Sequence, residues 1–150
     1  MTKILILGGG GRVGQKLANH LLASGLLGHK ALDITLFDMA FPLKQDGRLR
    51  CITGSLTDAQ NITMLARLRP DIVFHLASIV SGEAESNFDA GWQVNMFTMW
   101  HYLEALRKLH IETGGTYVPT YYVQIHQPFS NQWGHTLAKT ELLCLKNAGA

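Results

Sequence analysis

Ile4-Leu5-Ile6-Leu7-Gly8-Gly9-Gly10-Gly11-Arg12-Val13-Gly14 is a short apolar run that meets four glycines and then opens a helix, and its reading decides the fold. Side chains would hold a backbone away from a phosphate, whereas bare glycines let it approach a helix N-terminus whose free N–H groups and dipole favour anions. Leu17, Leu21 and Leu22 follow at i, i+4 spacing from Val13 and Ala18, which gives the helix one face to pack on a sheet. The glycines fit two spacings, Gly8-x-x-Gly11-x-x-Gly14 and Gly9-x-Gly11-x-x-Gly14, and the run alone does not choose between them.

A second strand, Ile34-Thr35-Leu36-Phe37-Asp38, ends in a carboxylate whose distance from Gly14 is close to the ~20 residues at which dinucleotide-binding units place their ribose acceptor. Asp38 can accept two ribose hydroxyl hydrogen bonds; the plain alternative is a carboxylate that only ends a strand. It would also repel a 2′-phosphate, and Met39-Ala40-Phe41 supplies no arginine, so the pattern favours NAD over NADP. A P-loop is excluded, because Gln15-Lys16 rather than Lys-Ser or Lys-Thr follows Gly14.

The remaining bulk properties set bounds. At 150 residues, 47% hydrophobic and 16% charged, the chain reads as one soluble globular domain, 1–150, able to bury a core. Its net charge of +2 is spread along the sequence without a basic stripe, so neither nucleic acid nor a membrane surface is an expected partner. Cys51 and Cys144 lie far apart and form neither a metal nor a redox pair, which fits a reducing cytoplasm. No stretch approaches the ~18 apolar residues of a membrane span.

Further along, 41–48 reads as a polar loop, Leu49-Arg50-Cys51-Ile52-Thr53 as a strand, and Thr57-Asp58-Ala59-Gln60 as a capping box opening a helix that Pro70 stops. Asp71-Ile72-Val73-Phe74-His75-Leu76-Ala77 is the near-continuous apolar run of a parallel strand covered on both faces. Strands alternating with helices predict an α/β fold: a doubly wound parallel sheet of about five strands in three layers. From Asp89 to His110 a long helix carries Trp92, Met96, Met99, Leu103 and Leu106 as one apolar stripe, flanked by Phe97 and Trp100. Such a stripe is either core or the interface of a homodimer through residues 92–109. Pro119 starts a fifth strand at about Thr120, and a closing helix runs from about His135 to Lys146.

Over roughly residues 3–110 these residues resemble the extended short-chain dehydrogenase/reductase family, the NAD-dependent epimerase/dehydratase group. The carrying motifs are the glycine loop, Asp38 and Val73-Phe74-His75-Leu76-Ala77-Ser78. Residues 75–85, followed by Gln93-Val94-Asn95, resemble the D-erythronate dehydrogenase branch, which oxidises a sugar acid with NAD. The resemblance implies that Gly8, Gly11, Arg12, Val13 and Gly14 hold the pyrophosphate and Asp38 the adenosine ribose. It also puts Ser55 and Leu56 in the turn used at the adenine, where the family usually has aspartate in place of Ser55. Leu76 and Ala77 would flank the cofactor, Ser81 and Glu83 would reach substrate, and Asn95 would stand near the active site; the plain alternative for Asn95 is a surface amide. His75 reads as a packed, hydrogen-bonded core histidine, and no second histidine stands at metal spacing from it.

The family's chemistry uses a tyrosine four residues before a lysine, with a serine or threonine on the preceding strand. Here His135-Thr136-Leu137-Ala138-Lys139 puts histidine in the tyrosine's place, and Val123-Gln124-Ile125-His126 holds no serine. Lys139 would still hold the nicotinamide ribose, and an imidazole at His135 can do acid–base work, although the lysine cation disfavours its protonated form. Between Ile111 and Gln132 the likeness fades, and the sequence stops at Ala150, short of the family's substrate-covering region. Two readings result: an oxidoreductase for a sugar acid or related hydroxyl compound that turns over poorly or not at all, or a dinucleotide-binding or interaction module without catalysis, a truncated remnant.

Overall fold

The computed structural model describes residues 1–26, 28–79 and 87–123. Five strands, β1 (Thr2–Leu7), β2 (Leu32–Asp38), β3 (Leu49–Thr53), β4 (Ile72–His75) and β5 (Thr120–Val123), form one sheet in the order β3-β2-β1-β4-β5. Every pairing is parallel. Helix α1 (Arg12–Ser24) joins β1 to β2, and α2 (Ala59–Arg67) joins β3 to β4. A helical run joins β4 to β5 in three parts: α3 (Phe88–Trp92), a π-helical turn (Gln93–Phe97) and α4 (Thr98–Glu112). The expected doubly wound architecture is therefore present.

Side chains alternate across a strand, and the two cores follow that period of two. Ile4, Ile6, Ile34 and Leu36 pack with Ala18 and Leu21 of α1 on one face. On the other, Leu5, Leu7, Phe37, Val73 and Tyr121 pack with Ile62 and Leu65 of α2 and with Tyr102 and Leu106 of α4. Both faces of the central strand are buried, which is why β1 is apolar at every position from Ile4 to Leu7.

Several local expectations change. Val13 stands 51% exposed on the first turn of α1, so the packing face is carried by Gly14, Ala18 and Leu21 instead. The cap of α2 is Asp58, whose carboxylate accepts from the Gln60 N–H at 2.8 Å. Thr57 does not cap, because its hydroxyl is paired with that of Ser55 at 2.7 Å. The ladder of β4 covers only Ile72–His75 of the 71–77 run, with Leu76 N–H adding one further bond to the Leu7 carbonyl at 2.8 Å.

The long apolar stripe does not stay on one face. Trp92, Met96 and Trp100 are 46, 42 and 58% exposed, whereas Thr98, Tyr102, Leu106 and Leu109 are buried. An i→i+5 turn advances fewer degrees per residue than an α-helix, so the rhythm of fours and threes loses its phase across Gln93–Phe97. Thr98 and Tyr102 also occupy the inward line, which a count of purely apolar residues passes over. The closing helix expected at 135–146 lies outside the described residues.

Candidate functional site

The chain order reverses between β1 and β4, and the glycine loop leaves β1 at that point. In open α/β sheets the crevice at the carboxyl ends beside such a reversal is where ligands lie. Each glycine there can be tested by the contact a Cβ would make. At Gly8, which has φ +84°, it would lie 2.6 Å from the Ala77 nitrogen; at Gly9, 2.7 Å from the Leu36 Cβ. At Gly10 it would lie 1.9 Å from the Ala40 carbonyl oxygen, and at Gly14 2.3 Å from that of Gly8. Packing of the protein on itself therefore forces four of the five.

Gly11 differs. Its Cβ would meet only the Gly8 carbonyl oxygen, at an ordinary 3.6 Å, and its φ of −73° suits any residue. Gly11 is the N-cap of α1, makes no side-chain cap hydrogen bond, and no acidic residue occupies the first turn. Position alone leaves the N–H groups of Arg12, Val13 and Gly14 without intrahelical acceptors. What the missing side chain leaves is a clear approach to a positive helix end, and that fits a pyrophosphate. Gly14 packs against both Gly8 and Gly9, and each of these is itself closed in, so both spacings of the glycine run are satisfied at once.

Asp38 stands at the end of β2 beside this loop. One carboxylate oxygen accepts the Gly10 N–H at 2.9 Å and the other the Met39 N–H at 2.7 Å. Each oxygen has a second lone pair, so the group is oriented and still able to accept from a diol. The β2 backbone holds the loop as well, since the Phe37 carbonyl accepts from Gly8 and Gly9 at 2.9 and 3.1 Å. Gln15 is a latch that sequence reasoning missed. Its Nε2 donates to the Gly9 carbonyl at 2.7 Å and to Gln45 Oε1 at 3.3 Å, tying the loop to the 41–48 segment. Only the folded path of the loop, not any residue spacing, identifies that contact.

Ser55 and Leu56 follow β3 at the same end of the sheet. The Ser55 hydroxyl pairs with Thr57, and its carbonyl accepts from the Asn61 amide at 2.9 Å. Leu76 and Ala77 follow β4 and flank Gly8. Asn95 is exposed in the π turn, with its amide bonded to the backbone of Ile79. Ser81, Glu83, His135 and Lys139 lie outside the described residues. His75, 3% exposed, bonds through Nδ1 to the Tyr121 hydroxyl, and burial pushes its pKa down to about 4. It is the neutral core histidine that was expected, and among the described residues no cluster of three metal-ligating side chains exists. Nor is any described helix long and apolar enough to cross a membrane. A groove of about 350 Å³ between Ala59 and Thr63 of α2 and Ala105 and Leu109 of α4 has no glycine-loop residue in its walls. The candidate site is therefore assigned from loop geometry rather than from cavity size.

Comparison with known proteins bears on the fold and the family. The chain is 38% identical over 112 residues to the D-erythronate dehydrogenase of Cupriavidus necator, covering 71% of this chain and 35% of that protein. It is 36% identical over 108 residues to the D-erythronate dehydrogenase of Haemophilus influenzae, covering 71% and 34%. It thus spans about a third of the length of these curated relatives. A nucleoside-diphosphate-sugar epimerase from Agrobacterium tumefaciens superposes with a TM-score of 0.72 at 34% identity, over 82% of this chain and 36% of that one. A short chain dehydrogenase from Leptospira borgpetersenii with bound NAD+, at 19% identity and a TM-score of 0.63 over 80% of this chain and 50% of that one, shares the fold. Residues 4–120 match the NAD dependent epimerase/dehydratase family, and the chain belongs to it.

Proposed function

We propose that this chain binds NAD across the carboxyl ends of β2, β1 and β4, as the cofactor-binding part of a sugar-acid dehydrogenase, and that by itself it turns over little or nothing. The observation that carries the cofactor reading is Gly11, a glycine that the protein's own packing does not require, placed on an uncapped helix end beside an oriented carboxylate. Gly8, Gly11, Arg12, Val13 and Gly14 would cradle the pyrophosphate and Asp38 the adenosine ribose; the nicotinamide, when bound, supplies hydride transfer. The relatives named for D-erythronate, a small hydroxy acid, support the substrate class.

One sequence observation favours the reading without catalysis. No tyrosine in the chain precedes a lysine by four, and His135 holds that place before Lys139. The two readings share a cofactor site and part on turnover. Oxidation of D-erythronate with NAD at ordinary enzyme rates, ~1–10³ s⁻¹, would overturn the impairment.

The direct test is a fluorescence titration with NADH. Asp38→Ala should weaken binding by about tenfold or more, as loss of hydrogen bonds to a charged group implies. Gly11→Asp should abolish it while leaving the fold intact, since aspartate is a good N-cap and should add a few tenths of a kcal/mol, about the gain over glycine, to α1. Saturable binding lost in both variants supports the assignment; no binding by the unmodified chain removes it. The proposal extends to a homodimer through the helical run, supported by exposed Met96 and Trp100. Trp100→Glu should turn a sedimenting dimer into a monomer, and a monomeric unmodified chain would sink the idea.

A further inference from the structure

Gly9 and Gly10 share one peptide plane, and side chains take both of its polar groups. Its carbonyl, that of Gly9, accepts from Gln15 Nε2 at 2.7 Å, and its N–H, that of Gly10, donates to a carboxylate oxygen of Asp38 at 2.9 Å. A trans peptide points these two groups in opposite directions, so Gln15 and Asp38 grip the plane from its two sides. Glycine flanks the plane at both ends, which makes it easy to turn over. Such a flip moves ψ of the residue before the plane and φ of the residue after it, and glycine accepts the new angles, positive φ included, at little steric cost.

The direction of the Gln15 amide is fixed by its partners. A backbone carbonyl can only accept, so Nε2 and not Oε1 faces Gly9. The second proton of Nε2 goes to Gln45 Oε1 at 3.3 Å, which turns Gln45 Nε2 to the Pro42 carbonyl at 3.1 Å. Gln15 is therefore a donor in both contacts, and Gln45 anchors it to the segment that follows Asp38. With the plane turned over, the Gly9 carbonyl would face the Asp38 carboxylate, oxygen against oxygen. The carboxylate would also lose the Gly10 N–H that orients one of its two oxygens.

We infer that Gln15 is a positioning residue for Asp38, which it serves by locking the Gly9–Gly10 peptide with its N–H towards the carboxylate. The inference rests on the dinucleotide reading above and adds to it a side chain whose effect reaches the adenosine ribose through Asp38. Loss of the lock should weaken ligands that carry this ribose, and should matter only while Asp38 is present. Another donor at position 15 that reaches the Gly9 carbonyl should restore it.

The experiment titrates NADH and ADP, which share the adenosine ribose, on the unmodified chain, Gln15→Met, Gln15→Lys, Asp38→Ala, and Gln15→Met combined with Asp38→Ala. Met and Lys match Gln as helix formers, so α1 should persist, and circular dichroism checks that it does. Titration in about 1 M salt, where charges are screened beyond about 3 Å, keeps the lysine charge from acting on the phosphates. Gln15→Met should weaken both ligands by about fivefold, the worth of one neutral hydrogen bond, and Gln15→Lys should bind within about twofold of the unmodified chain. In the Asp38→Ala background Gln15→Met should cost nothing more, because groups that act through one another are not additive. Hydrogen exchange at the Gly10 amide, measured without ligand, should speed up in Gln15→Met and not in Gln15→Lys. Unchanged affinity or unchanged Gly10 exchange in Gln15→Met, a loss that lysine does not restore, or an undiminished loss in the Asp38→Ala background would overturn this inference alone. Failure of the unmodified chain to bind NADH would remove the cofactor reading and this inference together.

Discussion

The glycine loop and the start of the helical run Phe88–Glu112 both lie towards the carboxyl ends of the strands and are built in opposite ways. In the loop, small residues are closed in by backbone, and each of Gly8, Gly9, Gly10 and Gly14 faces an atom within 3 Å of where a Cβ would stand. In the helical run, large residues such as Met96 and Trp100 are left outside, and the contact that matters is a polar side chain reaching backbone sixteen positions away. Residue identity is thus dictated in the first region by lack of space. In the second it is dictated by a hydrogen-bond pairing that only the finished fold creates.

The largest effect should come from breaking the loop's packing. Gly10→Ala puts a methyl 1.9 Å from the Ala40 carbonyl oxygen, a backbone atom with no rotamer to escape into. A loss of about 3 kcal/mol or more is expected, at or beyond the upper end for overpacking. Gly11→Ala, with nothing nearer than 3.6 Å, should cost about 1 kcal/mol or less, the preference of an N-cap for glycine over alanine. Urea denaturation of the two variants side by side decides the matter; equal midpoints would mean that the loop is not packed as described.

A comparable effect should appear on acidification. Burial holds the His75 pKa at about 4, against an ordinary value of 6.5. The unfolded chain therefore binds a proton that the folded one refuses between these values, and stability falls as pH drops from about 6.5 towards 4. The shift corresponds to roughly 3 kcal/mol at full extent. Denaturation midpoints that stay flat over that window would show that His75 is protonated in the folded chain.

The same contrast explains what could be read in advance. Strand positions were legible because burial on both faces demands unbroken runs such as Ile4-Leu5-Ile6-Leu7, and Asp38 was legible because the glycine loop fixes its distance. The cap of α2 was misplaced by one residue. Thr57 and Asp58 are both good caps, and the choice between them was made by the Ser55 hydroxyl, which engages Thr57. The apolar stripe misled because a π turn has no residue signature, and because Tyr102 and Thr98, not further aliphatics, fill the inward line. Gln15 and Asn95 carry no local mark at all, since their partners Gly9 and Ile79 come within reach only once the loop and β4 are in place.

The smallest expected effects separate two tyrosines that the sequence does not distinguish. Tyr102 and Tyr121 stack in the same core with ring centroids 6.2 Å apart, and burial pushes both hydroxyl pKa values above their ordinary range. Tyr121 bonds His75, whereas the Tyr102 hydroxyl has no hydrogen-bond partner among the described residues. Tyr121→Phe should therefore strand the His75 nitrogen and destabilise by about 1–3 kcal/mol, the penalty for an unsatisfied buried group. Tyr102→Phe removes an unsatisfied oxygen without opening a cavity, and should be neutral or stabilising by about 1 kcal/mol. Opposite signs from one chemical change would locate the polar contact of this core in the His75–Tyr121 pair. Equal losses from both variants would mean instead that the Tyr102 hydroxyl has found a partner, and that the core joining α4 to β5 is polar on both sides of the stack.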